Sequence, residues 1–165
     1  MELGVMFHNI LVALDGSPRS LVALEQAADL ARSEHAHLAL ITVNETPWTH
    51  GVPESSLVRI FSDQAELAKQ ILGEAVAAVP RAARCQRVTG WGSPARVIID
   101  QVETGGHDLV VLGSRGRGPL SSALLGSVGR DVLTHSPVPV MVVRGDATAR
   151  PRAMAEERAL AGSHR

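Results

Sequence analysis

The 165-residue chain holds a single cysteine, Cys85, and a single lysine, Lys69, beside fifteen arginines. One thiol excludes an internal disulfide and agrees with a reducing cytoplasm. One lysine leaves lysine-dependent chemistry a single candidate. No apolar run reaches the roughly 18 residues that a bilayer span requires. The opening Met1-Glu2-Leu3-Gly4-Val5 has neither the basic patch nor the long apolar stretch of a secretory leader, so the protein is expected to stay in the cytoplasm. No sign of charge dominates either. Sixteen basic and seventeen acidic residues give a net charge of −1 and a pI near 6.7. That balance points to neither nucleic acid nor an anionic membrane as a partner, and any anion must be gripped by local geometry. What the chain does have is 45% apolar content, enough at this length for one domain with an ordinary core.

Apolar runs and amphipathic stretches alternate. Asn9 to Leu14 is a continuous apolar run of the kind a parallel strand covered on both faces requires. Asp15-Gly16-Ser17-Pro18 turns it into a helix, with Ser17 as N-cap and Pro18 at the first helical position. Leu21, Leu24, Ala28 and Ala31 follow at helical spacing. His37 to Val43 reads as the second strand, and a loop from Asn44 to Pro53 carrying Trp48 is a candidate lid. A long helix is predicted from Glu54 to Val79, with Leu57, Ile60, Leu67, Ile71 and Ala75 on one face. Cys85 to Thr89 is a weaker strand, Ser93-Pro94 opens a third helix running to about Glu103, and Gly105-Gly106 closes it. Asp108 to Leu112 is a second near-continuous apolar strand. A short helix over Ser127 to His135 and a last strand from Val138 to Val143 complete the pattern, and Pro139 favours an edge position for that strand.

This alternation predicts an α/β fold, a doubly wound five-stranded parallel sheet. The order 3-2-1-4-5 places the two most apolar strands at the centre, with the topological switch point between them. Ligands of such sheets bind at that point, outside the carboxyl ends of the strands, where Asp15 and Gly113 emerge. The domain is expected to span residues 7–144, with residues 145–165 a disordered or loosely helical tail.

The segment Gly113-Ser114-Arg115-Gly116-Arg117-Gly118 follows a strand, and nine residues separate Gly116 from Gly126-Ser127 at a predicted helix start. Glycines let a backbone approach phosphate oxygens, and a helix start offers free N–H groups and partial positive charge. Arg115 and Arg117 can screen a triphosphate. An ordinary strand-to-helix turn has the same glycines, so position at the switch point is what gives them weight. Neither GxxxxGK[ST] nor a GxGxxG after the first strand is present, and Lys69 lies far off on the second helix. Binding is therefore better supported than phosphoryl transfer.

The spacing Gly113, Gly116, Gly126, Ser127 resembles the motif of the universal stress proteins of the ATP-binding type. The opening Ile10 to Ser17 and the closing Ser136 to Val143 are similar to that family too, so that the likeness spans about Phe7 to Arg144. It implies a Rossmann-like, adenine nucleotide alpha hydrolase-like fold. It also implies that Ala13 and Asp15 sit beside the nucleoside, that Val43 packs against adenine, and that Gly113, Ser114, Arg115, Gly116, Arg117 and Gly118 wrap ribose and phosphates. Gly126, Ser127 and Val128 complete the cradle, and Mg²⁺ or Mn²⁺ bridges phosphate oxygens and waters. A homodimer through the last strand, Val138 to Val143, agrees with an apolar edge that otherwise exposes unpaired backbone.

Function is then expected to be ATP-dependent regulation in a stress response. A slow ATPase or nucleotidyl transferase in the same pocket, and a nucleotide-independent dimeric interaction protein, are the alternatives. Asp15 reads as a ribose or metal ligand, or as the Asx residue of a turn. His35 and His37 share a strand face but have no third ligand and read as surface residues. Cys85 reads as a half-buried, unreactive thiol. Trp48 and Trp91 lie on loops at the carboxyl side of the sheet, either over the adenine or filling gaps at the domain edge.

Overall fold

The computed structural model describes residues 7–47, 49–79, 85–114 and 125–144. Five strands and four helices alternate along these segments: β1 (Asn9–Ala13), α1 (Pro18–Glu34), β2 (His37–Asn44), α2 (Glu54–Ala78), β3 (Cys85–Trp91), α3 (Pro94–Gly105), β4 (Leu109–Gly113), α4 (Ser127–His135) and β5 (Val140–Val143). The strands form one sheet in the order β3-β2-β1-β4-β5, and every pairing is parallel. This is the doubly wound, Rossmann-like α/β arrangement that the alternation predicts.

Two helices cover each face. Ile10, Val12, Leu40 and Val111 pack with residues of α1 and α2, whereas Leu11, Ile41, Val110 and Leu112 pack with Ile98 and Val102 of α3 and Val132 of α4. Strands covered on both sides cannot alternate apolar with polar, which is why β1 and β4 read as unbroken apolar runs. Each fully buried Val, Leu or Ile contributes about 1.5–3 kcal/mol, and both central strands are lined with them.

Helix ends follow their local chemistry. Ser17 caps α1, its hydroxyl accepting from the Ser20 N–H, with Pro18 in the first turn. The sheet-facing stripe of α1 is Ser20, Ala23, Leu24, Ala27, Ala28 and Ala31, small residues that admit a close helix-to-sheet approach. Leu21, expected on that stripe, is only half-buried. Gly106 ends α3 at φ 63°, a left-handed conformation in which a Cβ is disfavoured. His35 takes the same conformation at the end of α1, and His37 opens β2, so the two histidines do not share a strand.

Two predicted boundaries and one buried face move. β3 runs on to Trp91, opposite the end of β2, so Trp91 belongs to a strand and not to a loop. β5 begins at Val140 instead of Val138. The Ser136 hydroxyl accepts from the Val138 N–H and donates to the Val138 carbonyl, which holds that residue in a turn, and Pro139 contributes only its carbonyl, accepting from Val110. On α2 the buried stripe is Ala68, Ile71, Leu72 and Ala75. Leu67, predicted inside, is 40% exposed. No helix among the described residues is long and apolar enough to cross a membrane.

Candidate functional site

The carboxyl ends of β1, β2 and β4 open into a cleft of about 740 Å³, which spans the switch point between β1 and β4. Of the sequence-predicted site residues, Ala13, Asp15, Val43, Gly113, Ser114, Gly126, Ser127 and Val128 all line it. The topology thus gathers four separate stretches of sequence at one place. Arg115, Gly116, Arg117 and Gly118 lie outside the described residues, as do Trp48 and the tail 145–165.

Each residue arrives there for a local reason. The Asp15 carboxylate accepts from the Ser17 N–H at 2.9 Å, an Asx turn that leaves its second oxygen for a ligand. The turn thus sets the side chain at the lining of the cleft. Ser114 has both backbone groups engaged, its N–H donating to Val143 at 2.9 Å and its carbonyl accepting from Gly126 at 3.1 Å. Ser114 and Gly126 consequently position the site but have no backbone N–H to offer a phosphate.

The free donors are one step further on. Arg130 donates to the Gly126 carbonyl and closes the first turn of α4, and Gly126 provides no side-chain cap. The N–H groups of Ser127, Val128 and Gly129 precede any intrahelical acceptor, and with the helix dipole behind them they favour an anion. Gly129 also lets α4 sit tightly on the sheet, since a Cβ there would meet Leu125 and Leu112 at 2.9 and 3.1 Å.

Gly113 has a packing reason beside the role its motif predicts. A Cβ on it would lie 3.0 Å from the Arg19 carbonyl carbon and oxygen and 3.2 Å from the Ser20 nitrogen. The missing side chain makes room for the backbone of α1, and a ligand is not needed to explain this glycine.

Several lining residues escaped the sequence reading. Thr42, Asn44 and Gln64 supply neutral polar groups, and Arg130 supplies a cation. Their signals were available only in part: Thr42 and Asn44 end a strand that meets the switch point, whereas nothing in the spacing of α2 distinguishes Gln64 from a solvent-facing residue. Trp91, 43% exposed, packs on Phe61 of α2 with ring centroids 5.1 Å apart, which accounts for it as an edge-filling residue. Burial pushes the Cys85 thiol above its ordinary range, with Arg87 acting in the opposite sense, so this thiol is held un-ionised. No three His, Cys, Asp or Glu side chains gather as a metal site among the described residues.

A five-stranded doubly wound domain with a cleft at its switch point defines the open-sheet α/β class of proteins. Within it, the profile of the universal stress protein family matches residues 6–144, and the chain belongs to that family. Universal stress protein YxiE of Bacillus subtilis is 32% identical over 148 residues, covering 84% of this chain and all of the relative. The solved structure of universal stress protein UspA from Lactobacillus plantarum superimposes with a TM-score of 0.77 at 25% identity, over 86% of this chain and all of that one. A universal stress protein crystallised in complex with cAMP shares the fold with a TM-score of 0.61 at 22% identity, over 84% of this chain and 97% of that one.

Proposed function

We propose that this chain binds ATP in the switch-point cleft and works as a nucleotide-dependent regulatory module in a cytoplasmic stress response. The observation that carries the reading is the convergence in one cleft of Asp15 and the open first turn of α4. Asp15 offers a carboxylate oxygen to a ribose hydroxyl, and the Ser127, Val128 and Gly129 N–H groups offer an anion site about one helical turn deep. Ala13 and Val43 give the apolar flank for a base. A relative of the same fold takes a cyclic adenine nucleotide, cAMP, which supports an adenine nucleotide here.

A divalent cation fits this site only as a companion of the phosphates. Asp15 and Glu45 are the carboxylates of the described lining, and no protein cage for a metal is built among the described residues. Mg²⁺ suits such a place because it keeps most of its ligands as water and phosphate oxygen; when bound, it neutralises phosphate charge. Asp15 and the Ser127 hydroxyl are the groups that would face it. Regulation is favoured over turnover because the sequence has no GxxxxGK[ST] and its single lysine, Lys69, lies on α2 and is not part of the described cleft lining.

The assembly in this reading is a homodimer through β5, which among the described residues pairs with β4 alone and forms an edge of the sheet. Calorimetry with ATP and Mg²⁺ tests the core of the proposal: saturable one-to-one binding is expected, and absence of heat at millimolar nucleotide rejects it. Single-turnover incubation with labelled ATP should return the nucleotide uncleaved after hours; stoichiometric ADP would move the assignment to a slow ATPase.

A further inference from the structure

The turn between α3 and β4 encloses a histidine. His107 is 5% exposed, and the turn wraps it so closely that a Cβ on Gly105 would lie 2.5 Å from its Nε2. The side-chain nitrogen of Gln101 stands 3.3 Å from the same Nε2. An amide nitrogen only donates, so Nε2 accepts and the proton of the neutral ring sits on Nδ1. Nδ1 is sealed from solvent and has no hydrogen-bond partner among the described residues. A second proton must enter at Nε2, where it faces the donating amide.

The same turn holds the start of β1. The Asp108 carboxylate accepts from the His8 and Asn9 N–H groups, and the Asn9 amide donates to the carbonyls of Gly105 and Gly106. The Asp108 N–H donates in turn to the Asn9 carbonyl at 3.0 Å. These bonds reach only the first residues of the strand. The sealed core begins at Ile10, so the turn can let go of His8 and Asn9 without opening the sheet.

A proton on His107 finds no free counter-charge. Asp108 is the charged group that acts on the ring among the described residues, but both its oxygens are committed to β1, and the His8 ring, 3.5 Å away, draws on the same carboxylate. Asp100 and Glu103 of α3 and Asp131 and His135 of α4 are exposed. On α1, Asp29 and Arg32 pair with each other at the surface. Burial accordingly holds the ring below its ordinary value of 6.5, against the pull of the Asn9 backbone and of Asp108.

We propose that this turn is an acid-released latch: a proton taken up by His107 breaks the turn's hold on His8 and Asn9 and frees the start of β1 while the sheet stays folded. The charged ring must either leave its sealed place or take an Asp108 oxygen from a β1 N–H, and each course opens the same contacts. A proton on His8 acts the other way, strengthening its pair with Asp108, but that imidazole is 74% exposed and adds little. The latch is independent of the nucleotide reading.

Amide hydrogen exchange followed by NMR tests it, each rate being referred to its intrinsic value at the same pH. Between pH 7.5 and 5.5 the opening equilibrium at the His8 and Asn9 amides should rise about three- to tenfold, because the open form titrates at the ordinary 6.5. Urea should leave that opening almost unchanged, in contrast to the steep dependence expected at Val12 and Val111 in the sheet centre. His107→Gln, with an unchanged melting temperature at pH 7.5, should abolish the rise, and His8→Gln should not diminish it. Exchange at His8 and Asn9 that follows urea as steeply as at Val12, a rise that survives His107→Gln, or a rise lost in His8→Gln overturns the inference. The ring signals of the wild-type protein give a reading that needs no variant: His107 should stay mostly neutral at pH 6.5, and a ring that titrates at or above its ordinary value overturns the latch as well.

Discussion

The two ends of the sheet treat polar groups in opposite ways. At the amino end, Asp108 accepts from the His8 N–H at 2.7 Å and the Asn9 N–H at 3.0 Å, and the Asn9 amide donates to the carbonyls of Gly105 and Gly106. The start of β1 is thereby tied to the end of α3 and the start of β4. At the carboxyl end, the sealed Gln64 Oε1 has no donor among the described residues, and the first turn of α4 has no side-chain cap. A smaller recess of about 420 Å³ exists at the amino end, beside His8, His37 and Cys85, and the backbone around it is tied by the His37 N–H donating to the His8 carbonyl. Satisfied polar groups fix a structure, whereas unsatisfied ones in a cleft store the capacity to bind. The proposed function places recognition at the carboxyl end and leaves the amino end to stability.

The largest test of that division is Asp108→Ala. It removes two charge-assisted bonds, one of them exposed, leaves the part-buried Asn9 N–H without its acceptor, and should lower unfolding free energy by about 2–3 kcal/mol, read by urea denaturation, while the folded fraction keeps its ATP affinity. A large loss of affinity in the folded protein would erase the distinction between the ends. Gly113→Ala should blur the division from the other side. Its Cβ must displace the α1 backbone, an overpacking cost of about 1–3 kcal/mol, and because α1 follows the Asp15 turn, ATP affinity should fall along with the melting temperature. If affinity falls and stability does not, the glycine serves the ligand directly.

Ser17→Ala removes the α1 cap and should cost about 1 kcal/mol in chemical denaturation, with ATP affinity reduced less than by Asp15→Ala. The smallest expected effect is a pH dependence at the amino end. His107 is 5% exposed, and burial holds its imidazole below the ordinary value of 6.5, with the backbone of Asn9 and the Asp108 carboxylate acting in the opposite sense. As pH falls through the unfolded value, the unfolded chain takes up a proton that the folded chain refuses, so stability should decline until the folded value is passed. Denaturation at pH 7.5 and 5.5 should show this loss, and His107→Gln should flatten it; a slope retained in that variant places the titration elsewhere.

The layout of the fold was readable from the sequence because burial on both faces leaves a strong trace. The apolar runs at Ile10 to Val12 and Leu109 to Leu112 mark central strands, and Ser17-Pro18 marks a helix start by chemistry that acts within one turn. β3 was harder to bound, since an edge strand need not be apolar, and its last residues, Gly90 and Trp91, carry no alternation. A Cβ on Gly90 would clash with Val97 of α3, a tertiary constraint that no local pattern encodes. For the same reason the site was only half legible. Asp15 and Ser127 stand at predictable places, a strand end and a helix start. Leu67 and Gln64 look like core and surface positions of α2 respectively, and only the packing of that helix against the end of β2 makes both of them cleft residues.

Ser114 has a consequence for how this fold tolerates change. Its carbonyl bonds the Gly126 N–H, and its N–H bonds the last residue of β5, so the chain leaves the sheet and re-enters α4 at two points already clamped together. Closing a longer connection between fixed points costs only about 0.6 kcal/mol for each doubling of its length. Residues inserted between positions 114 and 126 can therefore vary in number and kind while the anchors, and the helix start beyond them, stay where they are. Diversification is cheapest between two anchors that themselves line the switch-point cleft.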